Sequence, residues 1–292
     1  MKVVNFDRRP DTLLVKEVRK PKCEEFEILI QVSAAGLNFY DTFPDLNRGL
    51  GMLQYTRFSD VGYECAGKVV AVGRFVRYFK VGDQVCAILQ GGGGCAEFAT
   101  VSHRNALKIP PRVTLNQAAA LPVASCLTFY ALSMLTNIGP GKTILIHGDA
   151  GGVDVIAIQY AKHVLRCEVI AVAGVDIILD ASGRADFRKN LDCLAKGGSL
   201  VVLGSNCGSW VDIDLSVLMD KDINVIGGDL RNIFYSKIRS IFHDAAAKIW
   251  PLIQAGHIKL IIGKEFSFSE ATEAYRALAG HNIAGKILLV SQ

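Results

Sequence analysis

The sequence predicts an α/β protein of two domains: a β-rich domain of barrel type, and a doubly wound parallel sheet that follows it. Three observations predict this. The first hundred residues carry short β-rich runs punctuated by Gly, Pro or Asp, the spacing of a compact all-β barrel. From about Leu115 the pattern changes to apolar strands alternating with helices, which means a parallel sheet covered on both faces. The length, 292 residues, suits two domains of ordinary size.

In the first part, strands are expected at 2–6, 13–18, 27–32, 67–72, 84–89 and 96–101. The glycine-rich stretch 90–94 connects two of them. In the second part, 143–147 reads as a short buried strand, 153–164 as a helix and 168–172 as another strand. Strand 175–180, helix 185–196 and strands 199–203 and 223–226 follow. A long helix is expected over 235–255, interrupted near Pro251 because proline lacks the N–H that the helix ladder needs. The tail, 258–292, returns to short strands around an amphipathic helix at 270–279 and folds back onto the first domain. The boundaries are thus set at 1–116, 117–257 and 258–292.

Composition excludes several functions. Half the residues are hydrophobic and 21% are charged, so the chain buries a core and is not disordered. The net charge is +4, with Lys and Arg scattered singly, which gives no case for nucleic acid or an anionic membrane. The eight cysteines have no Cys-x-x-Cys spacing, which weakens both a zinc lobe and a redox dithiol. Residues 118–135 carry no charge, yet hold Pro122, Ser125, Thr128, Tyr130 and Ser133 and read as buried helix rather than a membrane span. The N-terminus has no apolar signal region, and a reduced, cytoplasmic protein is expected.

The most informative stretch runs Ile144-Leu-Ile-His-Gly-Asp-Ala-Gly-Gly-Val-Asp154. A buried strand enters a glycine turn and then a helix. In that context backbone N–H groups and the helix N-terminus hold a dinucleotide pyrophosphate. Further motifs follow one order along the chain: Ala34-Ala-Gly-Leu-Asn-Phe-Tyr-Asp41, Gly62-Tyr-Glu-Cys-Ala-Gly67, Val81-Gly-Asp-Gln-Val85, Ala118-Ala-Ala-Leu-Pro122 and Gly285-Lys286. Together with the glycine turn they resemble the quinone-reductase branch of the medium-chain dehydrogenase/reductase superfamily.

That resemblance implies a GroES-like barrel built from both chain ends and a Rossmann domain inserted between them. It implies NADPH, with NADH as the alternative, and two-electron reduction of a quinone or an α,β-unsaturated carbonyl. By the same resemblance, Asn38, Tyr63 and Thr128 line the reaction cleft, and Thr128 holds the nicotinamide or its phosphate. Gly151, Gly152 and Val153 hold the pyrophosphate. Ser182, Gly183, Gly204, Ser205 and Lys286 line the rest of the cofactor groove. Zinc-dependent members of the superfamily carry Cys where this chain has Asn38, His where it has Tyr63, and a third ligand at the position of Ala124. No zinc is expected, since none of these three is a usual zinc ligand. The expected partners are a small quinone or enone and a second copy of the chain, paired through strand 223–226.

Two features depart from the family. Asp154 stands where a third glycine lets the helix pack closely on the strand. At ~4 Å and an effective dielectric near 20, it would cost a pyrophosphate about 4 kcal/mol. Alternatively, Asp154 turns outward and caps the helix N-terminus, where an acid is favoured. The second departure follows Gly174. Stretch 167–174 reads as the second strand of a Rossmann sheet and 175–180 as the fourth, with no helix between them. Parallel strands need a crossover, and in the order 3-2-1-4-5-6 the first strand lies between these two. One or two βα units are therefore absent from the sequence. Three accounts are open: a stretch omitted from the sequence, a deletion product, or a segment 167–180 refolded as one strand or a hairpin. The rival to the enzyme reading is a non-catalytic binding or regulatory protein that kept the fold and lost the cofactor.

Overall fold

A computed structural model describes residues 1–6, 13–42, 61–89, 91–148, 150–169, 174–230, 233, 235–280 and 282–291. The chain divides into two compact units, Met1–Val123 with Leu260–Gln292, and Ala124–Lys259. Both boundaries lie slightly downstream of 116/117 and 257/258.

The first unit is built on β3 (Glu27–Gly36), a ten-residue strand. It pairs antiparallel with β4 (Glu64–Val72), β6 (Phe98–Ser102) and β14 (Lys286–Val290). The sheet runs β13-β14-β3-β4-β5-β7, where β5 is Gln84–Ile88, β7 Ala106–Lys108 and β13 Ile262–Ser267. A separate hairpin joins β1 (Lys2–Phe6) to β2 (Leu13–Glu17). Alternation along β3 sends Ile28, Ile30 and Val32 into a core with Val69, Val85, Phe266 and Ile287. Each such aliphatic side chain, once buried, stabilises the unit by about 1.5–3 kcal/mol. Because β13 and β14 come from the tail, strands within residues 27–108 and 262–290 share one sheet. Helix α1 (Leu115–Ala119) opens on a Thr114–Gln117 capping box.

The second unit is a five-stranded parallel sheet in the order β12-β11-β10-β8-β9. Its strands are β8 (Thr143–His147), β9 (Glu168–Val169), β10 (Val175–Asp180), β11 (Leu194–Val202) and β12 (Asn224–Gly227). Among the described residues, five α-helices accompany it: α2 (Pro122–Phe129, which begins at the unit boundary), α3 (Gly152–Tyr160), α4 (Phe187–Cys193), α5 (Leu215–Lys221) and α6 (Tyr235–Gln254). The amphipathic α7 (Ala271–Ala279) belongs to the first unit.

Three local expectations are corrected. Helix α6 runs through Pro251 without interruption. Proline sacrifices one backbone bond, while fully buried Phe242 and Ile249 hold the helix in place. Strand β11 starts at Leu194 rather than 199, with an irregular register between Val175 and Ile177 of β10 that takes up the extra residues. The segment 167–180 forms neither one strand nor a hairpin. Of the expected strand 168–172, the described residues show Glu168–Val169 as β9, and β8 lies between β9 and β10, parallel to both. Residues 170–173 lie outside the described residues.

Candidate active site

In the first unit, the turn after β3 places Asn38 over a buried polar cluster. Its Nδ2 donates to Glu64 Oε1 at 3.0 Å, and its Oδ1 accepts from Lys286 Nζ at 2.6 Å. Lys286 also pairs with Glu64 at 2.5 Å. The second Glu64 oxygen accepts the backbone N–H of Val123 at 2.9 Å. Glu64 has no exposed surface, and Asn38 and Lys286 are buried. Gly36 makes the room: a Cβ there would stand 2.5 Å from Glu64 Oε1 and 2.6 Å from the carbonyl of Ala119.

Beside this cluster, Asp41 accepts the backbone N–H groups of Asn38 at 2.8 Å and Gly62 at 2.9 Å. It ties the turn after β3 to the entry of β4. Complete burial pushes its carboxyl up to about 7, although the two N–H donors and Lys286 pull the other way. Burial also holds the thiols of Cys86 and Cys95 well above their ordinary range and pushes Cys65 up to about 12. All eight cysteines are free, and these three are inert packing groups. Tyr275 is buried near Asp41 and Cys95, and its hydroxyl is likewise held far above its usual value by burial.

In the second unit, β8 delivers the glycine turn to α3 as the sequence predicts. Gly151 is the N-cap residue, with extended backbone, and Gly152 and Val153 start the helix. Asp154 at the third helical position turns back, and its Oδ2 accepts the Gly151 N–H at 3.1 Å. It caps the helix, as the second sequence reading has it, but inward: only 8% of its surface is exposed. Thr128 is fully buried on α2, and its hydroxyl reaches the Val153 carbonyl at 3.5 Å.

The end of β10 repeats this arrangement. Asp180, fully buried, accepts the Ser182 N–H at 2.8 Å, the Ser182 hydroxyl at 2.6 Å and the Gly183 N–H at 3.2 Å. Gly183 takes a φ of +77°, and a Cβ there would stand 2.8 Å from Ser205 Cα. The loops after β10 and β11, with Ser182–Gly183 on one and Gly204–Ser205 on the other, therefore touch.

The structure thus joins Asn38 to Lys286, Thr128 to Val153, and Ser182–Gly183 to Gly204–Ser205. It gives Lys286 a different immediate task from lining a groove, since its ammonium is committed to Glu64 and Asn38. Tyr63 stands half-buried at the entry of β4, its carbonyl accepting the Leu89 N–H at 2.7 Å. Sequence reasoning missed Glu64, Asp41 and Asp180 as members of these clusters. For Glu64 and Asp180 the available signal was a carboxylate in an otherwise apolar strand, which fits only where a partner meets it. Among the described residues, no group of three or more His, Cys, Asp or Glu could hold a metal ion. No described helix is long and apolar enough to cross a membrane.

Comparison with known proteins matches both parts of the chain. Residues 24–111 match the alcohol dehydrogenase GroES-like domain family, and residues 152–289 match the family described as zinc-binding dehydrogenase. The chain is 26% identical to human quinone oxidoreductase over 322 residues, covering 96% of this chain and 94% of the relative. It is also 26% identical to quinone oxidoreductase 1 of Escherichia coli over 328 residues, covering 96% of each. Both spans exceed the chain's 292 residues, so the relatives carry residues without a counterpart here. The structure of the Escherichia coli quinone oxidoreductase complexed with NADPH matches with a TM-score of 0.85 at 25% identity, over 99% of this chain and 100% of that one. Barrel, parallel sheet and ordered motifs agree: the chain belongs to the medium-chain dehydrogenase/reductase superfamily, in its quinone oxidoreductase-like branch.

Proposed function

We propose that the chain is an NADPH-dependent oxidoreductase that reduces quinones or α,β-unsaturated carbonyls. The observation that carries this reading is the likeness to quinone oxidoreductases along 96% of the chain. The buried cluster of Asn38, Glu64 and Lys286 supports it, because polar groups cost free energy in a barrel core unless they are fully paired.

The reaction proposed needs no zinc. Asn38 and Tyr63 stand where zinc-dependent members carry ligands, and Lys286 already brings a cation to Asn38 and Glu64. A divalent ion there would meet that ammonium at close range.

The residues of the glycine turn do not fit a pyrophosphate as they stand. The Gly151 N–H that would face it is taken by Asp154. This favours a second reading, a relative that kept the fold and lost cofactor binding. The discriminating assay follows consumption of reduced nicotinamide with a quinone and with an enone, before and after dialysis against a chelator. Turnover unaffected by the chelator is expected. Absence of turnover with either acceptor sinks the oxidoreductase reading, and loss of rate restored by zinc overturns the metal-free one.

A further inference from the structure

We propose that Asp154 is a built-in anion that closes the phosphate cradle of this chain, so that a dinucleotide binds only by displacing it. The inference rests on the oxidoreductase reading for its ligand, and on this chain's own residues for its geometry.

A glycine turn before a helix holds an anion because free N–H groups and the helix dipole point at it. In this chain one of those donors is already met from within. The Asp154 carboxylate accepts the N-cap N–H of Gly151 at 3.1 Å and is nine-tenths buried. Its position is tightly determined. A Cβ on Gly148 would lie 2.1 Å from Oδ2, 2.2 Å from Cγ and 2.3 Å from Oδ1. The carboxylate therefore lies flat against the end of β8, in space left open because residue 148 has no side chain.

An intramolecular carboxylate gives up no translational freedom to sit there, whereas a ligand must. A pyrophosphate entering the turn would lack the Gly151 donor and would face a like charge in a poorly solvated place. The loop after β10 is satisfied in the same way. Asp180 takes the N–H groups of Ser182 and Gly183 and the Ser182 hydroxyl. Donors on both loops that the family resemblance assigned to a cofactor are thus occupied by carboxylates of the chain itself.

The test is a calorimetric or fluorescence titration of NADPH into wild type, Asp154→Gly and Asp154→Asn, at low and high salt. Melting temperatures of all three are recorded without ligand and with it. Asp154→Gly should bind NADPH about tenfold tighter or more, with the gain shrinking as salt screens the charge. Asp154→Asn, which keeps a carbonyl acceptor and loses the charge, should recover part of that gain. Without ligand, Asp154→Gly should melt lower because the cap is gone, and its rise in melting temperature with NADPH should exceed that of wild type. Equal affinity of the three proteins, whether tight or beyond detection, overturns the proposal. A glycine variant that binds tighter yet reduces no quinone or enone leaves the proposal standing and removes the oxidoreductase reading instead.

Discussion

At Glu64 the fold accepts a charge with no exposed surface because Lys286 and Asn38 satisfy one oxygen and the Val123 N–H the other. Breaking such a pair costs far more than the pair contributes, since the remaining charge stays buried. Lys286→Met should therefore lower the free energy of unfolding by about 3–5 kcal/mol in urea titrations. Adding Glu64→Gln should restore part of the loss, because the stranded charge goes with it. An additive double mutant would remove the coupling. Asp41 obeys a different rule. Its carboxyl is pushed up to about 7 from 3.8, so between those values the folded protein binds a proton that the unfolded chain has released. The stability this supplies is complete below the unfolded value and is lost as pH rises through the folded one. Asp41→Asn also forfeits an acceptor for one backbone N–H, so it should be less stable throughout. The melting-temperature advantage of wild type over this variant should shrink between about pH 5 and about pH 8. An advantage that grows over that range contradicts the assigned shift.

Among elements, local patterns were legible where local physics decides them. The apolar run before Gly148 and the helix after Gly151 follow from periodicity and turn chemistry, and both stand where expected. What escaped the sequence depends on distant partners. Lys286 and Asn38 are 248 positions apart, and no periodicity joins them. The family resemblance placed Lys286 at the site, but only the fold shows that its ammonium is spent on Glu64. The 270–279 helix begins at Ala271 with Glu270 as its N-cap residue, a shift of the usual size at helix ends. Pro251 misled because propensity assigns it a break, while burial of the residues around it decides otherwise. The segment after Cys167 was the hardest to foresee. Sequence shows an apolar run and cannot show that Glu168–Val169 and Val175–Asp180 pair with opposite edges of β8.

At the scale of the molecule, the parallel sheet of the second unit ends in a strand with one partner. Among the described residues, β12 pairs with β11 alone, leaving the outer row of its backbone N–H and C=O groups without a strand. Natural sheets protect such edges with charge, proline, a bulge or a covering segment. Asn224–Gly227 contains neither charge nor proline, and Val225 is 44% exposed. A second copy, turned about a two-fold axis, offers the same strand antiparallel to the first. That satisfies both edges at once and continues the sheet from one protomer into its partner. We therefore expect a homodimer formed through β12. Sedimentation or light scattering at micromolar concentration should give twice the chain mass of 31.6 kDa. Val225→Lys places a charge on the shared edge and should yield a monomer with an unchanged far-ultraviolet circular dichroism spectrum. A wild-type protein that is monomeric under these conditions, or a lysine variant that stays dimeric, would show that β12 is not the joining strand.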